Sequence, residues 1–463
     1  MDRRPLTFYL AHSAATGNLG DDAMLLNAAR RLGEWFPDSR LRVPLRRGGT
    51  LPAGLPPHEV VADVRQLIAL TLRATSPLRL GKRWPDPARD DGGPAVTWRR
   101  RASDWLTRII GTAGSPVAKS LRALGSSDIL YVTGDNAIND FNPSGVFERL
   151  CLLRVARRLG LGIVLSSQGI GPIASQWARD ALQGMLAVAD LVSYRYDGDG
   201  TALSRAMAPT NLWQSTTGDE AFSLPPAADE AAAGVLERAG VRRGERFIAV
   251  HFREADFTPE RRDLTRDVAR VLDDIATRVP DPLVFFPMSI TRRYGLDGEY
   301  GERIRGLMSA PARLRIAEGA QHPAVVKAAV AHARLTLGSS YHLHVFGLSQ
   351  DVPAVIAYSG AYYAAKSQGL AALYSPLTRS LDMKVVDPSE VVAAVETALA
   401  DTDVVKPLRA ANARLSSVND SLLRALADRI RRGMPGRRLP RDLEPLEPKA
   451  VREDDPRTAE EMR

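Results

Sequence analysis

Short apolar, β-prone runs alternate with amphipathic helical stretches along most of the chain, and this alternation restricts the possible folds more than any other feature. In the first half the runs are LTFYLAH, LRVPL, DILYVTG, GIVLSSQG, LVSYR and LWQSTTGD. In the second half they are FIAVHFRE, PLVFFPM, RLRIAEG, TLGSS and AVIAYSG. Continuously apolar strands separated by helices are typical of parallel sheets that are covered on both faces. The two series therefore predict an α/β protein with two Rossmann-like, doubly wound domains that face a cleft.

The length of 463 residues also favours two domains, because one hydrophobic core rarely serves so long a chain. We predict a boundary after Phe222, where the Pro/Ala-rich segment SLPPAADEAA begins. The predicted parts are an N-terminal domain (1–222), a C-terminal domain (223–386), C-terminal helices (387–433) and a disordered, Pro- and charge-rich tail (434–463). An Arg-, Pro- and Gly-rich insertion at about 74–125 interrupts the first domain.

Cysteine content and hydropathy indicate the compartment. The single cysteine, Cys151, excludes an internal disulfide and fits a reducing environment. The first residues lack the apolar segment of a signal peptide, and no window approaches 18 uninterrupted apolar residues. We therefore expect a cytoplasmic protein.

The net charge of +8 is concentrated in the insertion. Eleven Lys/Arg and four Asp/Glu lie between Arg73 and Arg122, which leaves seven of the excess positive charges there. A single basic region does not predict a nucleic-acid partner. Within it, VTWRRRASDWLTRIIG has Trp98 and Trp105 at helical spacing. Two hypotheses remain open: residues 96–110 contact the inner face of an anionic membrane, or the helix packs its tryptophans on the domain.

The loop Gly17-Asn18-Leu19-Gly20-Asp21-Asp22 follows the first predicted strand and leads into a helix. It matches neither the dinucleotide-binding glycine pattern nor a P-loop. Its aspartates either cap the helix, or the loop presents Asn18 and Asp21 to a polar substrate. We keep both interpretations.

Polar residues also follow the other predicted strands. Because the carboxyl ends of parallel strands meet at one edge of a sheet, these residues predict a ligand site in the cleft. None of them has convincing metal-ligand spacing, and we expect no metal. They are Asp135, Asn136 and Asp140; Gln168; Arg195 and Asp197; Asp219; His251 and Arg253; Ser339, Ser340, His342 and His344; and Tyr358 and Lys366.

These motifs in this order resemble the polysaccharide pyruvyl transferases, from about Ala11 to about Leu370. The motifs are GNLGDDAML, VTGDNAINDF, SSQGIGPI, SYRYDGDG, GDEAF, VHFRE and SSYHLHVFGLSQDVPAVIAYSGAYYAAKSQG. The resemblance implies a GT-B-like pair of domains. It also implies transfer of pyruvate from phosphoenolpyruvate to a sugar of a surface glycan or its lipid-linked precursor, usually as a ketal, without a further cofactor.

The resemblance also suggests roles for individual residues. His342 is the expected acid and Asp21 the expected base, while Asn18 positions a sugar hydroxyl. Arg253 and Lys366 are expected to meet the carboxylate and phosphate of the donor. The other predicted substrate-binding residues are Gly20, Asp135, Asn136, Gln168, Arg195, Asp219 and Ser340.

The sequence departs from the family pattern at the donor side. Many members have Arg-Leu-His where this chain has Ser340-Tyr341-His342, and the motif Asp-Pro-Ala-Phe is here Asp-Glu-Ala-Phe, at 219–222. Two alternatives therefore stay open. One is a GT-B-like glycosyltransferase that uses a sugar nucleotide, although a strong Glu-x-x-x-x-x-x-x-Glu donor motif is missing. The other is a non-catalytic glycan-binding or assembly protein of the same fold.

Overall fold

The computed structural model describes residues 4–12, 17–46, 49–65, 68, 119–253, 264–291, 296–319 and 322–434. Most of the predicted basic insertion, with the segment 96–110, lies outside the described residues. The same holds for the predicted tail after Met434. The hypotheses about both segments stay predictions.

The first half of the chain forms a seven-stranded parallel sheet with the order β3-β2-β1-β4-β5-β6-β7. Its strands are β1 (Thr7–Ala11), β2 (Arg40–Leu45), β3 (Glu59–Ala62), β4 (Ile129–Val132), β5 (Gly162–Gln168), β6 (Leu191–Tyr194) and β7 (Trp213–Thr216). Its helices are α1 (Leu19–Trp35), α2 (Lys119–Gly125), α3 (Pro143–Arg158), α4 (Gln176–Leu186) and α5 (Asp199–Met207).

The second half forms a six-stranded parallel sheet with the order β10-β9-β8-β11-β12-β13. Its strands are β8 (Phe247–His251), β9 (Leu283–Phe285), β10 (Leu314–Ile316), β11 (Ala333–Gly338), β12 (Ala354–Tyr358) and β13 (Arg379–Asp382). Its helices are α6 (Asp229–Arg238), α7 (Thr265–Arg278), α8 (Asp297–Leu307), α9 (Pro323–Val330), α10 (Tyr341–Leu348), α11 (Ala361–Leu373) and α12 (Pro388–Ala400). Two 3₁₀ helices span Glu220–Ser223 and Pro311–Arg313.

The predicted pair of doubly wound α/β domains is confirmed, and every predicted apolar run overlaps a strand. The strands β3 and β13 were not predicted from the sequence, and both are edge strands of their sheets. Most of their residues are exposed or half-buried, so they lack the continuous apolar run of a central strand. The predicted domain boundary at Phe222 falls within the first 3₁₀ helix, between the two sheets.

The C-terminal helices divide between the two domains. Helix α12 packs on the second sheet, but α13 (Val405–Asn419) and α14 (Ser421–Arg432) lead back to the first domain. There, Leu422 and Leu426 are buried in the same core as Phe8. The Asn419 side chain also donates to the Thr217 carbonyl over 3.0 Å. The first domain therefore includes residues from the C-terminal part of the chain.

Candidate functional site

The loop after β1 joins the two domains. The Leu19 amide donates to the Met288 carbonyl over 2.9 Å, and the Ile290 amide donates to the Gly17 carbonyl over 2.7 Å. Gly17 has a φ of +104°, and a Cβ there would lie 2.0 Å from Cγ2 of Thr291. Only glycine fits this position, because the backbone is left-handed and the second domain approaches so closely.

The N-cap of α1 is Asn18 rather than an aspartate, and the predicted substrate role of the loop stays a prediction. Asn18 caps α1 by accepting from the Gly20 amide over 3.2 Å, and Asp22 accepts from the Gly17 amide over 3.0 Å. The half-buried carboxylate of Asp21, however, has no hydrogen bond within the described part of the chain. Asn18 and Asp22 therefore hold the loop, and Asp21 is available to a ligand.

Both aspartates hold their protons more tightly than an ordinary carboxyl group. Burial, with help from Asp135, raises the pKa of Asp21 to about 7, although Arg195 and Arg253 oppose the shift. Burial also raises the pKa of Asp22 to about 6, against the hydrogen bond from Gly17. Asp21 is therefore poised to exchange a proton near neutral pH.

His342 lies across the domain junction from Asp21, in the first turn of α10. Its ring packs on Gly20, where a Cβ would stand 1.8 Å from Nδ1. Burial lowers the pKa of His342 to about 4; Asp219 opposes this shift, whereas Arg195 and Lys366 add to it. The imidazole is therefore neutral at pH 7 in the unliganded protein.

His344, two residues further along α10, has a different environment. It is fully buried, with Nδ1 2.9 Å from the Thr336 hydroxyl and Nε2 2.8 Å from the Gly338 carbonyl oxygen. Both ring nitrogens are thus occupied by the protein, and this histidine is structural. Ser340 caps the same helix by accepting from the Leu343 amide over 3.4 Å.

Two cations lie near Asp21. Arg253 follows β8; its amide donates to the Ser339 hydroxyl, and its Nε is 3.5 Å from Asp297 Oδ1. Lys366, on α11, has its Nζ 4.0 Å from the centre of the Tyr363 ring. Burial, with the charges of Arg253 and Arg195, lowers the pKa of Lys366 to about 7, whereas Asp21 opposes the shift. Arg253 and Lys366 thus form a cationic region that an anion would complete.

Some predicted binding residues lie beneath the site. Gln168 is fully buried; its amide accepts from Arg149 over 2.7 Å and donates to the carbonyls of Thr133 and Ser166. Arg195 is also buried, with Nε 2.9 Å from Asp219 Oδ2. Protein groups already pair with the side-chain amide of Gln168 and with Nε of Arg195. The predicted substrate contacts of both residues stay predictions.

Asp135 and Asn136 form part of the cleft floor. Burial would raise the pKa of Asp135, but the charge and hydrogen bonds of Arg149 hold it below its ordinary value. Asn136 Oδ1 accepts from the Tyr196 hydroxyl over 3.0 Å, while its buried Nδ2 has no hydrogen bond to any described residue. Asn136 therefore keeps one polar group available.

Two important acidic residues were missed from the sequence. Glu220 accepts from the hydroxyls of Tyr131 and Ser166 and from the Gly134 amide. Asp297 accepts from the Met288 amide and lies 2.9 Å from His251 Nε2. The departure from the family motif at position 220 was a signal for Glu220. Asp297 follows no strand and carried no signal.

A groove of about 680 Å³ is lined by other residues of the opening loop, Gly17 and Asp22. Leu51 from the first domain and Ile290 from the second contribute apolar surface. Among the described residues, no cluster of His, Cys, Asp or Glu has the arrangement of a metal site. In the same part of the chain, no helix combines the length and apolar character needed to cross a bilayer.

Two parallel sheets with polar residues at their facing strand ends define a GT-B-like two-domain protein. Solved structures share this fold. The glycotransferase of kitacinnamycin matches at 14% identity and TM-score 0.51, covering 94% of this chain and 100% of that one. S. aureus MnaA with UDP matches at 11% identity and TM-score 0.53, covering 92% of this chain and 96% of that one. The trehalose 6-phosphate synthase of Burkholderia multivorans matches at 13% identity and TM-score 0.51, covering 92% of this chain and 99% of that one. At such identities the likeness establishes the fold alone.

The polysaccharide pyruvyl transferase family model matches residues 215–359. The resemblance is therefore confirmed over this segment, which includes Asp219, Arg253 and His342, and it indicates a transferase. No curated protein matches the chain.

Proposed function

We propose that the protein transfers pyruvate from phosphoenolpyruvate to a sugar of a surface glycan, or of its lipid-linked precursor, as a ketal. The observation that carries this proposal is the convergence of Asp21 and His342, one from each domain, beside Arg253 and Lys366. Two proton-transfer groups and two cations match what the reaction needs.

The cations suit a donor that carries a carboxylate and a phosphate. The Arg253 guanidinium offers a planar fork to either group, and the side chain is 20% exposed. Lys366 is only about half protonated near pH 7 in the unliganded protein. A phosphate dianion would raise its pKa and complete its charge, so donor binding and protonation favour each other.

The proton balance of the reaction fits the two catalytic candidates. Two sugar hydroxyls each lose a proton when their oxygens bond to C2; one proton is added to C3 of the donor, and the other leaves with phosphate. Asp21, with a pKa of about 7, holds a proton that C3 can accept, and the neutral His342 can take one from a hydroxyl. This assignment exchanges the roles that the sequence suggested, because burial moves the two pKa values in opposite directions.

The acceptor glycan extends past the reacting sugar, and we place this extension in the groove lined by Gly17 and Asp22, the neighbour of Asp21 in the chain. Its mixed surface, with apolar Leu51 and Ile290 near the Asp22 carboxylate, suits the two faces of a sugar ring. The glycan would therefore approach from the opening loop and the donor from the side of Lys366.

The test is incubation of the purified protein with pyruvyl-labelled phosphoenolpyruvate and a glycan extract. We expect label in the glycan and one phosphate released for each label transferred. Arg253→Lys and Lys366→Gln should each lower kcat/KM about 10- to 100-fold, the range for a lost charged hydrogen bond. The exposed Arg243→Lys and Lys406→Gln are matched controls that should keep wild-type rates.

The same extract should be tested with UDP-sugars, because one of the solved structures with this fold contains UDP. Nucleotide release with sugar transfer, and no consumption of phosphoenolpyruvate, would replace our proposal with a glycosyltransferase. Glycan binding without turnover of either donor would indicate the non-catalytic alternative.

A further inference from the structure

Asp219 and His342 face each other with unused hydrogen-bonding capacity. Asp219 Oδ2 lies 3.8 Å from His342 Nε2, and the two side chains are 2% and 14% exposed. Neither atom has a hydrogen-bond partner among the described residues. Buried polar atoms are almost always paired in folded proteins, so two unpaired atoms facing each other need an explanation.

The surroundings of Asp219 hold its carboxylate without satisfying Oδ2. Oδ1 accepts from the Ala221 amide over 2.7 Å, which fixes the carboxylate plane. Arg195 Nε lies 2.9 Å from Oδ2, but its N–H donates to the Ser167 carbonyl over 3.1 Å. The guanidinium also stands 5.3 Å from the centre of the Tyr341 ring. Arg195 thus offsets the negative charge of Asp219, while Oδ2 keeps a lone pair that accepts no hydrogen bond from a described residue.

We propose that Asp219 is the positioning residue of His342. Its carboxylate accepts a hydrogen bond from the Nε2–H of His342 when the 3.8 Å gap closes around bound substrate. Catalytic hydrogen bonds are often long before substrate binds, so the gap agrees with this role. A proton fixed on Nε2 leaves Nδ1 unprotonated on the side of Gly20. The carboxylate also stabilises the imidazolium that forms when Nδ1 takes a proton from the acceptor hydroxyl.

The charged groups around the ring agree with this arrangement. Asp219, after β7, favours the protonated ring, whereas Arg195, after β6, and Lys366, on α11, disfavour it. Asp21, the residue after Gly20, lies on the helix that meets the ring. Asp219 is thus the group that offsets the two cations and keeps proton uptake at His342 possible.

The orienting role can be tested without substrate. Nitrogen-15 NMR of the histidine side chains reports which ring nitrogen carries the proton, and His342→Gln identifies the signal among the seven histidines. We expect the Nε2–H tautomer in the wild-type protein. In Asp219→Asn the amide would donate to Nε2, so the ring should change to the Nδ1–H tautomer. The exposed Asp401→Asn is the matched control and should leave the signal unchanged.

The catalytic consequence rests on the proposed function. Asp219→Asn should lower kcat by about 10²- to 10⁴-fold, the range for losing general acid–base catalysis, with little change in KM for phosphoenolpyruvate. Far-ultraviolet circular dichroism checks the fold, which the retained Oδ1 contact should preserve. An Nδ1–H tautomer in the wild type, or a signal that Asp219→Asn does not move, overturns the proposal. A reversed tautomer in a protein that turns over no phosphoenolpyruvate keeps the positioning role and rejects the proposed function.

Discussion

Replacing Gly20 by alanine should disable the site while the helix keeps its backbone. Gly20 lies in the first turn of α1, and its φ is not in the left-handed region, so alanine fits the backbone. The new methyl group would stand 1.8 Å from His342 Nδ1 and 2.2 Å from Cγ. Ordinary contacts are about 3.5–4.0 Å, so the ring must move by roughly 1.5–2 Å.

This displacement sets the expected loss of activity. A misplacement of about 1 Å in a catalytic group can cost about 10²-fold in rate, so Gly20→Ala should lose at least that factor in kcat/KM. The measurement is phosphate release from phosphoenolpyruvate at varied donor concentration, with Tm recorded for each variant.

Gly33→Ala is the matched control, because Gly33 lies on the same helix and an added Cβ meets no atom within 4 Å. It should keep wild-type kcat/KM and raise Tm, since alanine is about 0.8–1.0 kcal/mol more favourable than glycine in a helix. If Gly20→Ala lowers Tm, adding His342→Ala should restore Tm but not turnover. Wild-type turnover in Gly20→Ala would refute the placement of the ring or its part in the reaction.

Three further results are expected. The kcat/KM should fall below about pH 4, where His342 gains a proton, and above about pH 7, where Asp21 and Lys366 lose theirs. In Asp21→Asn the slope of log(kcat/KM) against pH on the alkaline side should decrease from about two to about one. An unchanged slope would contradict the assignment. Binding of phosphoenolpyruvate at pH 8 should take up a proton, measured by calorimetry in two buffers, and Lys366→Gln should remove most of the uptake. Leu426→Ala should lower the free energy of unfolding by about 2–5 kcal/mol in a denaturant titration, because the side chain is fully buried. The exposed Arg424→Ala should change it by less than about 0.5 kcal/mol, and equal effects would reject the packing of α14.

Much of the fold was predictable because its central strands are continuously apolar. That pattern marks burial on both faces, which only a covered parallel sheet provides. The edge strands β3 and β13 lack the pattern because solvent reaches them. The sequence also predicted the C-terminal helices over 387–433, which include α14, but a helical pattern does not show which surface the helix packs on. The return of α14 to the first sheet was therefore beyond sequence reasoning.

The site was predictable in position and less so in detail. Asp21, Arg253 and His342 follow strands whose carboxyl ends meet, so their proximity follows from the topology. Burial decides the rest. It places Gln168 under the floor of the site, and it gives Asp21 and His342 protonation states that differ from those of exposed side chains. The presence of a polar residue at a strand end does not show how deeply its side chain is buried.

The packing of α14 on the first sheet has a consequence for synthesis of the chain on the ribosome. Phe8 is among the first residues of the folded protein to be made, yet the core around it also contains Leu422 and Leu426. The core of the second domain also includes Leu408 and Leu415, which are made before Leu422, so this domain can close its core earlier. The N-terminal domain must instead hold an open apolar face until about residue 430 has emerged. The domain that is made first is therefore the one that finishes folding last.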